Sequence, residues 1–225
     1  MGFISEQRLS DSPYIETITR GRTVGEGSTI RPAESHWHMV FVGFNGSVFP
    51  IVTGPLTSAG VVSYTEGAEI LWIKFTLGAF MPHLPVKDFR DAETTLPGAS
   101  SRSFWLLGSA WQFPDFDNVE TFVDRLVRED ILVRDHLVNT ALGGYLPAMP
   151  SRTLRHRFLR ATGLSHNHIY QIERAQRAAA LLQRGVSILD AVYEAGYYDQ
   201  AHLTRSLKRW VGHTPAQILR SYNPE

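Results

Sequence analysis

The chain has 225 residues, 43% of them apolar and 20% charged, with no net formal charge and no cysteine. These numbers suit a globular protein of one large or two small domains, whose core needs no metal or disulfide to hold it. The missing cysteines exclude a disulfide framework, Cys-ligated zinc and a Cys nucleophile. The longest apolar runs, positions 39–42 and 70–73, are far too short to span a bilayer, so no membrane partner is expected. Residues 1–14 lack the apolar stretch of a secretion signal, and the expected location is the cytoplasm.

The first ~115 residues read mostly as strands and turns. Residues 14–19 alternate, and 36–44 and 48–53 are β-rich runs separated by Asn45-Gly46, a hairpin signal. Residues 61–65 and 70–77 read as a further strand pair across Glu66-Gly67. The expected result is an antiparallel barrel or sandwich. Residues 78–98 hold three prolines and read as loop, and 100–111 as a helix opening at Ser100 or Ser101. From Asp117 the period changes to that of a helix, with Val119, Phe122, Val123, Leu126 and Val127 on one stripe and Asp117 or Asn118 as cap. Residues 131–142 continue helical and end at Gly143-Gly144.

The zero net charge hides an asymmetry. Residues 151–225 hold eleven Lys and Arg against five Asp and Glu, a balance of +6, which leaves −6 on the first 150 residues. A basic third joined to an acidic two-thirds fits one part that meets a polyanion and one that does not. The plainer alternative is an Arg-rich solvated helix face.

Within the basic third, Pro147 and Pro150 bracket a short turn, and Ser151 caps a helix over 152–162 that stops at Gly163. Leu154, Phe158 and Ala161 lie on one face; Arg152, Arg155, His156 and Leu159 lie on another. A long helix over about 167–184 follows Ser165 and buries Ile169, Ile172, Ala175 or Gln176, Ala179 and Leu182. Ser187 and Asp190 form a capping box for the next helix. Gly196 sits where the chain must reverse, Tyr197 plugs the core beneath, and Asp199 caps a helix over 200–210. There Leu203, Leu207 and Trp210 point inward, while Gln200, Ala201, Thr204, Arg205 and Lys208 point outward. Short polar residues at the start of an exposed helix, with cations further along, suit a helix that enters a major groove. A last helix begins at Pro215.

The run Ala195-Gly196-Tyr197-Tyr198-Asp199-Gln200-Ala201-His202-Leu203-Thr204-Arg205-Ser206-Leu207-Lys208-Arg209, followed by Gly212-His213-Thr214-Pro215, resembles the signature of AraC/XylS-type transcription regulators. Leu154, Phe158, Gly163 and Arg174 resemble the first helix-turn-helix of the same family, and the likeness covers about 131–225. It implies two helix-turn-helix units on a rigid connector, with two recognition helices entering successive major grooves on one side of the duplex. Carried onto this chain, the DNA-binding set is Arg152, Arg155, His156, Gln200, Ala201, Thr204, Arg205, Lys208 and Arg209. His156 stands where the family often has Arg, with Arg155 and Arg157 as neighbours that substitute. The proline-rich turn marks the first unit as the weaker reader. The resemblance also implies activation or repression of transcription, often through RNA polymerase. A small-molecule effector and a homodimer are further partners of this reading.

Other chemistry is thinly signalled. His36-Trp37-His38 puts two imidazoles on one strand face and resembles half of a cupin metal motif, with His83 as a third ligand. The Glu that would complete the motif is absent from 39–45, so no metal is assigned. No phosphate-binding loop, dinucleotide fingerprint or nucleophile elbow occurs. Trp37, Met39 and Phe41 are expected as core, with His36 and His38 facing a cavity or solvent. The reading is an α+β chain: residues 1–130 a β-rich ligand-sensing or dimerisation domain ending in a helix, 131–225 an all-α DNA-binding domain. It is not read as an enzyme, and no cofactor is assigned. The rivals are a cupin-like metal-dependent enzyme domain fused to a DNA-binding module, and a ligand-free adaptor.

Overall fold

A computed structural model describes residues 2–145 and 149–222. Strands come first: β1 (Phe3–Leu9), β2 (Ile15–Thr23), β3 (Gly27–Arg31), β4 (His38–Phe44), β5 (Ser47–Thr53), β6 (Gly60–Tyr64), β7 (Glu69–Phe75) and β8 (Ala79–Phe80). After a 3-10 turn (Val86–Phe89) come β9 (Glu93–Thr95), β10 (Gly98–Ser100), β11 (Ser103–Leu106), β12 (Ser109–Gln112), α1 (Val119–Arg128) and β13 (Val133–Arg134). The rest is helical: α2 (His136–Leu142), α3 (Ser151–Thr162), α4 (His166–Gln183), α5 (Ile188–Glu194), α6 (Gln200–Trp210) and α7 (Pro215–Tyr222). An antiparallel β-rich N-terminal region followed by helices is the expected α+β class.

The main sheet has six strands in the order β1-β2-β7-β4-β5-β9, all pairs antiparallel. Its register explains its core. Ile18, Ile73, Met39 and Val52 lie side by side across four strands and all are buried. Cross-strand neighbours of this kind are what holds a sheet together. Trp37 stacks on Phe75 at 4.1 Å and donates its indole N–H to the Ala79 carbonyl. Phe41 meets Phe104, Phe113 and Phe122 edge-on, so β11 and α1 cover that face. Asn45 and Gly46 both take positive φ, the geometry of a tight hairpin turn, as their sequence predicts.

Four local expectations give way. Residues 100–111 are not a helix but the hairpin β11–β12, which turns at Leu107-Gly108 with φ of 49° and 80°. A bulky residue in that conformation is rare, so the turn carries no sequence flag. β6 and β7 do not pair with each other: β6 pairs with β3, and β7 lies between β2 and β4. Residues 78–98, expected as loop, hold β8, the 3-10 turn and β9. The segment 131–142 opens with β13, and α2 starts only after Asp135, whose side chain accepts from Leu137 N.

The histidine assignment is also corrected. Trp37, Met39 and Phe41 are core as expected. His38 is only 2% exposed and lies edge-on to Trp72, while His36 pairs with Glu16 at 2.6 Å. A groove of about 740 Å³ opens on the other face, beside Phe41, Gly43, Leu71, Phe113 and Phe116. His38 opens β4 and His36 lies in the bend before it, so the two imidazoles are taken up by an indole and an acid. His83 is exposed, and no group of three or more His, Asp or Glu among the described residues is placed to hold a metal.

Two acid pairs lock this part of the chain. Arg8 grips Glu120 with both guanidinium nitrogens, at 2.5 and 2.8 Å, and also reaches the Phe116 carbonyl. Those hydrogen bonds, helped by Ser10, outweigh burial and hold the Glu120 carboxyl at about 2. Burial pushes the Glu16 carboxyl up, but the hydrogen bonds and charges of His36 and Lys74 together prevail, and it too sits at about 2. Both folded values lie below the ordinary carboxylate range, so the stability they supply is present above that range and lost as pH falls through about 2. The urea midpoint of the β-rich part should therefore fall between roughly pH 5 and 2, and Glu120→Gln should flatten that slope. An unchanged slope in Glu120→Gln would remove this pair from the acid response.

By internal contacts the chain divides into two units. One holds residues up to Gly27, His36–Pro55 and Ser63–Ser165; the other holds Ser28–Ser35, Leu56–Val62 and the chain from His166 onward. This division differs from a single cut at residue 130.

Candidate nucleic-acid interface

The helices of the second unit are built from local signals. α5 starts at Ser187, whose hydroxyl accepts from Asp190 N at 3.2 Å, one half of the predicted capping box, and donates to the Asp190 carboxylate at 2.6 Å. α6 starts at Asp199, whose carboxylate accepts from His202 N at 2.6 Å. Between them Gly196 takes φ of +68° and Tyr197 turns inward, where its hydroxyl meets Ser206 at 3.1 Å. A Cβ at Gly196 would meet open space, so the conformation alone demands glycine there. Gly196→Val should therefore destabilise this unit by about 1–2 kcal/mol, while Gly196→Asn should cost less. Chemical denaturation followed by helical CD checks this; equal stability of Val and wild type would show that the turn tolerates a branched residue.

α4 is the rod on which this pair is mounted. Ile169, Ile172, Ala175, Ala178, Ala179 and Leu182 are buried, and the helix packs against α5, α6 and α7. Arg174 is buried with them. Its guanidinium lies 4.2 Å from the centre of the Tyr197 ring, donates to Gln171 Oε1 at 2.6 Å and reaches the Gly196 carbonyl at 3.4 Å. It thus braces the turn rather than adding to surface charge. Its position carries two conflicting signals, the family's spacing and a cation in a basic segment, and burial decides between them.

On α6 the predicted faces are realised. Leu203, Leu207 and Trp210 are buried; Gln200, Ala201, Arg205, Lys208 and Arg209 are exposed and Thr204 is half-buried. Two of these outward residues are partly engaged. Thr204 donates its hydroxyl to the Gln200 carbonyl at 2.8 Å, and Lys208 donates to Gly212 O at 3.1 Å. The Arg209 guanidinium lies over the Trp210 ring at 4.4 Å.

α3 belongs to the first unit. Ser151 is its first residue rather than its cap; Pro150 holds the cap position, with no side-chain bond, and Gly163 ends the helix at φ of +71°. Phe158, Ala161 and Thr162 are buried. Arg152, Arg155 and His156 are exposed, as expected. Arg157 forms a two-pronged pair with Asp135, at 2.8 and 3.0 Å, so its guanidinium is engaged within the protein, whereas Arg155 is exposed. Pro147, which brackets the turn before α3 in the sequence reading, lies outside the described residues.

A family model described as a helix-turn-helix domain matches residues 148–221. This stretch is an AraC-type helix-turn-helix domain. The AraC-type domain is 43% identical over 75 residues to the HTH-type transcriptional regulator VirS of Mycobacterium tuberculosis, in two strains. That match takes in 33% of this chain and only 22% of the length of those regulators. The whole chain is similar to a solved structure of ToxT from Vibrio cholerae, at 10% identity and a TM-score of 0.41, over 97% of this chain and 98% of that one. No helix among the described residues is long and apolar enough to cross a membrane.

Proposed function

We propose that the chain is a sequence-specific DNA-binding transcription regulator that reads double-stranded DNA with α3 and α6 in successive major grooves. The observation that carries this is the face of α6: Gln200, Ala201 and Arg205 exposed at its start, over a buried Leu203-Leu207-Trp210 stripe, inside an AraC-type domain. A helix so mounted presents its first turns to base edges and its later cations to phosphates. Arg152, Arg155 and His156 play the same part on α3. The groove beside Phe41, walled by Phe113 and Phe116 with Arg22 at its rim, is the place for a small-molecule effector in the N-terminal part. RNA polymerase and a second copy of the chain are the further partners of this reading, and the cytoplasm is its location.

Selection of bound duplexes from a random pool by the full chain is the deciding experiment. A recovered motif with two half-sites about one helical turn apart is expected; recovery of unrelated sequences would refute the reading. Arg205→Ala should then cost about 1–3 kcal/mol on the selected duplex and relax preference at one position, as for a bidentate contact to guanine. Lys208→Ala should weaken all duplexes alike. If Arg205→Ala leaves the selected motif unchanged, Arg205 meets phosphate only.

A further inference from the structure

Two short pieces from the N-terminal half belong to the same compact unit as α6. The N–H of Ala33 donates to the Trp210 carbonyl at 2.7 Å, and the N–H of Ala59 donates to the Arg209 carbonyl at 2.8 Å. The last carbonyls of a helix have no partner within it, so both of these are satisfied from outside. Glu34 and Leu56 exchange both backbone bonds, at 3.0 and 2.8 Å, which ties the two pieces together. Gln176 of α4 donates its side-chain N–H to the Ala33 carbonyl at 2.9 Å. Gly212, just past α6, has φ of +86°, and a Cβ there would lie 2.4 Å from Ile30 Cγ2 and 3.2 Å from Ala59 Cβ. The glycine after the recognition helix is therefore a seat for this ribbon as well as a turn residue.

The geometry points to Ile30, Ala33, Ala59 and Gln176 as positioning residues for DNA reading, acting on α6 from outside the helix-turn-helix domain. This rests on the proposed reading of DNA by α3 and α6. The eleven residues of α6 make a rod of about 16 Å. Its base-reading residues stand at one end, and the ribbon clasps the carbonyls at the other. A clasped end sets the tilt with which Gln200 and Arg205 are offered. α3 lies in the other compact unit.

The test is base-by-base protection of the selected duplex by the full chain. The half-site read by α6 is identified as the one that Arg205→Ala loses. Ala59→Pro removes the N–H that caps Arg209, Ala59→Gly keeps it, and Gln176→Leu removes the support of Ala33. Ala59→Pro and Gln176→Leu should need at least tenfold more protein to protect the α6 half-site, with the α3 half-site unchanged. Ala59→Gly should behave as wild type. Protection of both half-sites at wild-type concentrations in Ala59→Pro and Gln176→Leu would overturn the assignment, as would parallel loss at both. Should Ala59→Pro fail to fold, Gln176→Leu decides alone by the same criterion. A wild-type chain that protects no half-site would instead overturn the DNA reading itself, and the positioning role with it.

Discussion

Raising salt from about 50 to about 200 mM should weaken binding of the chain to duplex DNA by about 10³-fold, the effect of a log–log slope near −5. The slope follows from about six neutralised phosphates at −0.9 each. The structure bears on the cations available. Of the eleven Lys and Arg in 151–225, Arg157 is engaged by Asp135 and Arg174 is buried against Tyr197. The other nine, from Arg152 to Arg220, are exposed. Six contacts from nine exposed cations is a modest demand, given that α3 and α6 each present several. Titration of a labelled duplex at four or five salt concentrations measures the slope. A slope near zero would mean that the basic third does not meet phosphates, whatever sequence the protein prefers.

Replacing Arg174 by leucine should destabilise the helical unit by about 2–4 kcal/mol. The guanidinium stacks on Tyr197, satisfies Gln171 and reaches the Gly196 carbonyl, and leucine does none of these. The apolar replacement also leaves those part-buried acceptors without their donor, which adds to the loss. Arg174→Lys should recover only part of the loss, because an ammonium lacks the flat fork that stacks and donates together. Urea denaturation followed by helical CD gives both numbers. Leucine and arginine of equal stability would show that the turn at Gly196 stands without the brace.

Much of the helical part could be read from the chain because its instructions are local. Ser187 and Asp199 announce the starts of α5 and α6, Gly196 announces the reversal, and the 3.6-residue stripe of Leu203, Leu207 and Trp210 announces the buried side. Each signal lies within a few residues of its effect. The β-rich part is different. The Leu107-Gly108 turn uses a residue that rarely takes positive φ, so the hairpin looked like a helix. β6 looked like the partner of its neighbour β7, yet β3 is its partner, a choice set by packing far along the chain. Alternation at 36–41 located the core face correctly through Trp37, Met39 and Phe41. It could not show that Glu16 and Trp72 would occupy the histidine side, nor that the groove would open beside Phe41. Of the candidate interface, the outward residues of α6 were legible, whereas the withdrawal of Arg157 by Asp135 depends on a contact 22 residues away.

The clasp on α6 also bears on how the molecule is made. The bond from Gln176 to Ala33 joins residues 143 apart, and those from Ala33 and Ala59 to the end of α6 close comparably long loops. Such closures form late, because the chain must surrender loop entropy before the contact rewards it. On the ribosome, residues 28–35 and 56–62 emerge long before Trp210 and must wait for it. A nascent or prematurely terminated chain that stops short of Trp210 has no finished α6. A proteolytic fragment that begins at 131 has the helix but not the two pieces that cap it. The capped form of α6 therefore exists only in a chain that carries residues 28–35, 56–62 and 166–212 together.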